Sequence, residues 1–206
     1  MIRVYPRKKL DFTYGNIFKA FLYSFSSLFS KKDIEKDIEA LWPDHKVIVG
    51  LSVRSIFDLL LEEKQYKKGS EVIMSGITIP DMVKIVEANH LNVVPVDIDM
   101  QTLQVSEASI SNAITENTVM VVIAHLFGSR MNMDPVYKAL HSRPDIMIVE
   151  DCAQTYAGIN SYIKEEKTDL SMFSFGSIKS ITALGCAIGF TSNDELYSII
   201  KKRFSK

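Results

Sequence analysis

From residue 71 onward, short apolar runs alternate with amphipathic stretches, and this alternation constrains the fold more than any other feature of the chain. Strand-like runs fall at 71–75, 93–97, 119–125 and 146–150, with helical patterns between them near 79–89, 107–114 and 134–141. Strand, helix, strand repeated in this way predicts an α/β domain: a mostly parallel sheet with helices on both faces. Apolar runs at 170–175 and 186–191 extend the sheet, the buried run Val47–Gly50 precedes it, and an amphipathic helix over 193–203 follows. Ser52 is a plausible N-cap for a helix whose apolar face is Val53, Ile56, Phe57, Leu60 and Leu61.

The region before this domain is of a different kind. Ile17, Phe18, Phe21, Leu22, Phe25, Leu28 and Phe29 recur at helical spacing, which predicts a helix docked on the domain or on a partner subunit. An interfacial membrane helix is the competing reading, but Lys19 is the one charge on its polar face. A second short helix is expected over 33–42, with Ile34, Ile38 and Leu41 on one face. The chain therefore divides into a helical lead-in, 1–44, and one large domain, 45–206. Lys19 interrupts the apolar stretch and Lys31-Lys32 follow it, unlike a secretory signal, and no run of about 18 apolar residues suits a membrane span. A net charge of −1 with scattered Lys and Arg gives no footprint for nucleic acid. Cys152 and Cys186 are far apart and form no metal-binding or disulfide pattern, so a reducing, cytoplasmic setting is expected.

Ligands of open parallel sheets gather at the carboxyl ends of the strands, and two segments deliver reactive groups there. Ile148-Val149-Glu150-Asp151-Cys152-Ala153-Gln154 brings a carboxylate, and Phe173-Ser174-Phe175-Gly176-Ser177-Ile178-Lys179 brings a hydroxyl and an amine. Together they match the needs of pyridoxal phosphate (PLP): an acid for the pyridinium nitrogen, an amine for the aldehyde and a donor for the phosphate. Singly, each has a plainer reading. Asp151 is also a fit loop acid or helix cap, Lys179 a solvated lysine, and Ser174 a sheet-packing serine. Ser52 and the Val53 amide sit at a helix N-terminus that suits a phosphate, though Ser52 is by spacing more simply its own helix's cap. His125, at a strand end without a spaced partner, reads as a packed histidine. There is no GxGxxG, no Walker motif and no His/Cys cluster with metal-ligand spacing, so dinucleotide, nucleotide-triphosphate and zinc chemistry are poorly supported and no metal is expected.

Over roughly residues 47–196 the chain resembles the DegT/StrS-type sugar aminotransferases, PLP enzymes of the aspartate-aminotransferase fold. The resemblance runs through Gly69-Ser70-Glu71-Val72-Ile73, Val94-Pro95-Val96-Asp97-Ile98-Asp99, Ala113-Ile114-Thr115 with Thr118, and Ala124-His125-Leu126-Phe127-Gly128. It is most specific at Glu150–Gln154 and Ser174–Lys179. It implies that Lys179 is the Schiff-base lysine, Asp151 the partner of the pyridine nitrogen and Gln154 a neighbour of the ring. Ser174 and the Ser52–Val53 turn would bind phosphate. It also implies a homodimer that moves nitrogen from an amino donor to a keto sugar, usually nucleotide-linked, in polysaccharide or secondary-metabolite sugar biosynthesis. Lys179 separates the chain from related sugar dehydratases, which lack that lysine. Ile79-Pro80 follows Thr78 where many members place an aromatic ring, and Leu51-Ser52-Val53-Arg54-Ser55 replaces the usual Gly-Thr pair. Members continue into a smaller C-terminal domain absent from these 206 residues. The alternative expectation is a truncated, non-catalytic module of the same fold that serves subunit or partner binding.

Overall fold

The computed structural model describes residues 12–25, 31–179, 181–183 and 185–204. After helices α1 (Tyr14–Phe25) and α2 (Lys31–Glu39) come β1 (Lys46–Gly50), α3 (Val53–Lys64), β2 (Glu71–Ser75), α4 (Pro80–Ala88) and β3 (Asn92–Val96). The chain continues through α5 (Glu107–Ala113), β4 (Thr118–Ala124), α6 (Asp134–Ala139), β5 (Met147–Asp151), β6 (Leu170–Ser174), β7 (Ala187–Thr191) and α7 (Asp194–Phe204). The strands form one sheet in the order β1-β7-β6-β5-β4-β2-β3. All pairs from β3 to β6 are parallel, while β7 runs antiparallel to both β6 and β1. The reversal at β7 has a simple cause. A parallel return needs a crossover across a sheet face, normally a helix, and the described residues between β6 and β7 form none.

Alternation along the strands sorts side chains onto two faces. On one face Val72, Met74, Met120, Val122, Met147, Val149, Leu170 and Met172 pack under α3, α4 and α7. On the other, Ile73, Val121, Ile123, Ile146 and Ile148 pack with Ile110 of α5 and Val136 of α6. A third cluster, with Trp42, Phe173 and Phe190 in edge-to-face contact, joins the end of the lead-in to the β6–β7 side of the sheet. Both faces are covered, as the alternation predicts, and the observed elements lie within a few residues of the expected ones.

The helix expected over 17–29 forms as α1 over Tyr14–Phe25. Ile17, Phe18, Phe21 and Leu22 are 45–62% exposed in the single chain. Leu28 and Phe29 lie outside the described residues. Among the described residues, no helix is long and apolar enough to cross a membrane.

Candidate active site

The strand periodicity decides which side chains meet at the carboxyl edge of the sheet. In β5, Met147, Val149 and Asp151 share the face under α3; in β6, Leu170, Met172 and Ser174 share the same face. Asp151 and Ser174 thus end adjacent strands on one side. Lys179 returns to them through a turn in which its N–H donates to the Gly176 carbonyl at 3.0 Å.

Two adjoining cavities open here. The outer, about 500 Å³, is lined among others by Gln154, Tyr156, Ser174 and Lys179. The inner, about 190 Å³, is lined by Asp151 with Thr78, Ile79, Ala153, Gln154 and Lys179. Ile79, Phe127, Ala153, Gln154 and Lys179 border both. A concave site with apolar walls and a few convergent polar groups is the usual form of a small-molecule pocket.

The electrostatics are uneven. Burial pushes the Asp151 carboxyl above its ordinary range, opposed by the Ala153 N–H, which donates to Oδ1 at 3.0 Å, and by the Lys179 charge across the cavity. A cation placed against Asp151 would therefore be strongly favoured. Gln154 Oε1 accepts the Phe127 N–H at 3.0 Å, which leaves its NH₂ end for the cavity. Ser174 Oγ accepts the Gly176 N–H at 3.4 Å, leaving its own proton free to donate.

The structure thus brings Asp151, Gln154, Ser174 and Lys179 to one place. Ser52 and Val53 line neither cavity. The Ser52 hydroxyl turns into its own helix, accepting the Ser55 N–H at 3.1 Å in a reciprocal capping box. The start of α3 is nonetheless tied to that of α4, one turn from Ile79, by Arg54 and Asp81 at 2.6 Å.

Sequence reasoning missed what lies on the opposite face. Glu150 and His125 are fully buried there, with His125 Nε2 and Glu150 Oε2 2.7 Å apart. Glu150 also accepts the Tyr162 hydroxyl at 2.6 and 2.7 Å and the Thr168 hydroxyl. Burial alone would raise the Glu150 carboxyl, but the His125, Thr168 and Tyr162 hydrogen bonds outweigh it and hold the group below its ordinary value. Cys152 Sγ lies within 4.8 Å of these two groups, and burial raises its thiol well above the usual value, so it keeps its proton. The available signal was an acid inside a buried strand. Tyr162 and Thr168 come from an irregular segment with no periodicity to read.

Fold and pocket together define an α/β domain with a concave small-molecule site at the carboxyl edge of its sheet. Residues 30–204 match the DegT/DnrJ/EryC1/StrS aminotransferase family, and the chain belongs to that family. It is 36% identical over 88 residues to the L-glutamine:2-deoxy-scyllo-inosose aminotransferase of Micromonospora echinospora, a match covering 43% of this chain and 21% of that protein. Among solved structures it is similar to the putative sugar aminotransferase Spr1654 of Streptococcus pneumoniae in its PLP form, with a TM-score of 0.81 and 21% identity. That match covers 96% of this chain and 57% of the other. It is also similar to an E. coli GDP-4-keto-6-deoxy-D-mannose-3-dehydratase with bound hydrated PLP, with a TM-score of 0.79 and 21% identity, over 96% of this chain and 53% of the other. The chain spans little more than half the length of these solved relatives.

Proposed function

We propose that the chain holds PLP in this cavity and serves amino transfer from an amino donor to a keto sugar, nucleotide-linked, in cytoplasmic sugar biosynthesis, as part of a homodimer. The observation that carries the reading is the convergence of Asp151 and Lys179, from separate strands, on one cavity. PLP supplies an electron sink that stabilises negative charge at the substrate carbon. Asp151, buried and facing that cavity, holds the proton on the pyridine nitrogen by opposite charge. The NH₂ of Gln154 would donate to the ring's phenolic oxygen, and the Ser174 hydroxyl would donate to the phosphate. Lys179, which borders both cavities, would hold the cofactor's aldehyde with its amine and would carry a proton to and from the substrate carbon. Ile79, which stands where many members place an aromatic ring, would give the ring an apolar wall.

The relative from Micromonospora, named for L-glutamine and 2-deoxy-scyllo-inosose, supports an amino-acid donor and a keto acceptor, whereas the nucleotide link rests on the family resemblance. Titration of the purified chain with PLP should produce a visible absorbance band that Lys179→Ala abolishes. Hydride trapping and peptide mapping should place the modification on Lys179. A chain that binds PLP equally well as Lys179→Ala, or that is trapped at another lysine, overturns the assignment.

A further inference from the structure

We propose that His125, clamped by Glu150, is a positioning residue for the pocket: it latches the turn 126–131 and, through it, sets Gln154. The inference rests on the reading of the cavity as a PLP site. His125 continues β4 by one residue, its N–H donating to the Asp151 carbonyl at 3.0 Å, and its ring turns to Glu150 while the residue also borders the inner cavity beside Asp151. The ring bridges two elements. Nδ1 accepts the Met131 N–H at 3.2 Å, which requires the proton on Nε2, and Nε2 donates to Glu150 at 2.7 Å. Glu150 is itself held by Tyr162 and Thr168, so the ring has no freedom to turn.

The segment between His125 and Met131 needs such a latch. Its turn closes with the Ser129 N–H on the Leu126 carbonyl at 2.9 Å and places Phe127 at φ 55° and Gly128 at φ 80°. Gly128 adopts that conformation freely, whereas Phe127 is strained there and persists because its surroundings fix it. The strained residue is the one whose N–H orients Gln154 Oε1. The coupling therefore runs by hydrogen bonds from Glu150 to His125 to Met131, along the backbone of the turn to Phe127, and by a hydrogen bond on to Gln154, from the packed face to the cofactor face. Supporting shells of this kind govern how precisely a first contact is placed.

The test uses His125→Gln, whose NH₂ keeps a donor near Glu150 but which has no acceptor at the Nδ1 position for the Met131 N–H. In the full chain without cofactor, amide hydrogen exchange at Phe127 and Met131 should become about tenfold faster, with Val121 and Val149 in β4 and β5 unchanged. With PLP added, affinity should fall about tenfold and the visible band should shift, because Gln154 is no longer held. Exchange that is unaltered, or faster by the same factor throughout the sheet, overturns the latch, as does unchanged PLP affinity. A wild-type chain that takes up no PLP sinks the cofactor reading, and the exchange arm then decides the latch alone. Should the variant not fold, the ¹⁵N spectrum of the wild-type imidazole decides: a bare Nδ1 supports the latch, and a protonated Nδ1 overturns it.

Discussion

Glu150 and Asp151 are neighbours in the chain, both acidic and both buried, yet they have opposite environments. The strand turns one to each face of the sheet. Glu150 meets three donors and its carboxyl is held low; Asp151 meets one backbone N–H and an open cavity, and burial drives its carboxyl up. The first is a closed network that holds structure together. The second is a charge whose partner must come from outside. A buried acid is therefore informative about function only once its hydrogen-bond partners are counted.

The comparison can be broken most severely at Glu150. Glu150→Ala strands the His125, Tyr162 and Thr168 donors in a dry environment and should cost about 3–5 kcal/mol in urea unfolding. A loss below about 1 kcal/mol would show that the network is not structural. At Asp151 the two effects should separate. Asp151→Asn keeps an acceptor for Ala153 and relieves a buried charge, so thermal stability should hold or rise. PLP affinity, by contrast, should fall about 10- to 100-fold, the value of a charge-assisted hydrogen bond. A variant that loses stability and keeps affinity would reverse the assignment of the two acids.

The pH dependence sharpens the contrast. Because the folded Glu150 carboxyl titrates below its ordinary value of 4.5, the unfolded chain takes up the proton first as pH falls. Its contribution to stability is fully present above that pH and is lost as pH drops through the folded value. Acid unfolding should accordingly be less steep in Glu150→Gln, and an unchanged acid limb would exclude Glu150 as its source. The smallest effect is expected at Ser52. Ser52→Ala should cost about 1 kcal/mol of stability through the lost cap. Unchanged PLP affinity would make that serine a cap and nothing more, whereas a parallel loss of affinity would restore it to the phosphate site.

Much of this architecture was legible because it depends on short-range periodicity. The alternation from Glu71 to Asp151 predicted each strand and helix close to its observed place, and the carboxyl-edge rule put Asp151 and Ser174 at strand tips. The direction of β7 follows from what lies between two strands rather than from either strand. The surroundings of α1 were illegible for a related reason: helical spacing of Ile17, Phe18, Phe21 and Leu22 predicts an apolar face, and it does not say what covers that face. Ser52 read correctly as a cap from its local pattern alone.

The amino-acid sequence by itself determined the parallel α/β layering, the family, and which acid, amine and hydroxyl stand at the strand ends, since all of these are written in periodicity and local motif. Only the tertiary structure decided that Asp151 and Lys179 border the same cavity, that Ser52 turns away from it, and that Glu150 closes on His125, Tyr162 and Thr168. Those outcomes depend on contacts between residues far apart along the chain, and such contacts follow from strand order and packing rather than from spacing in the sequence.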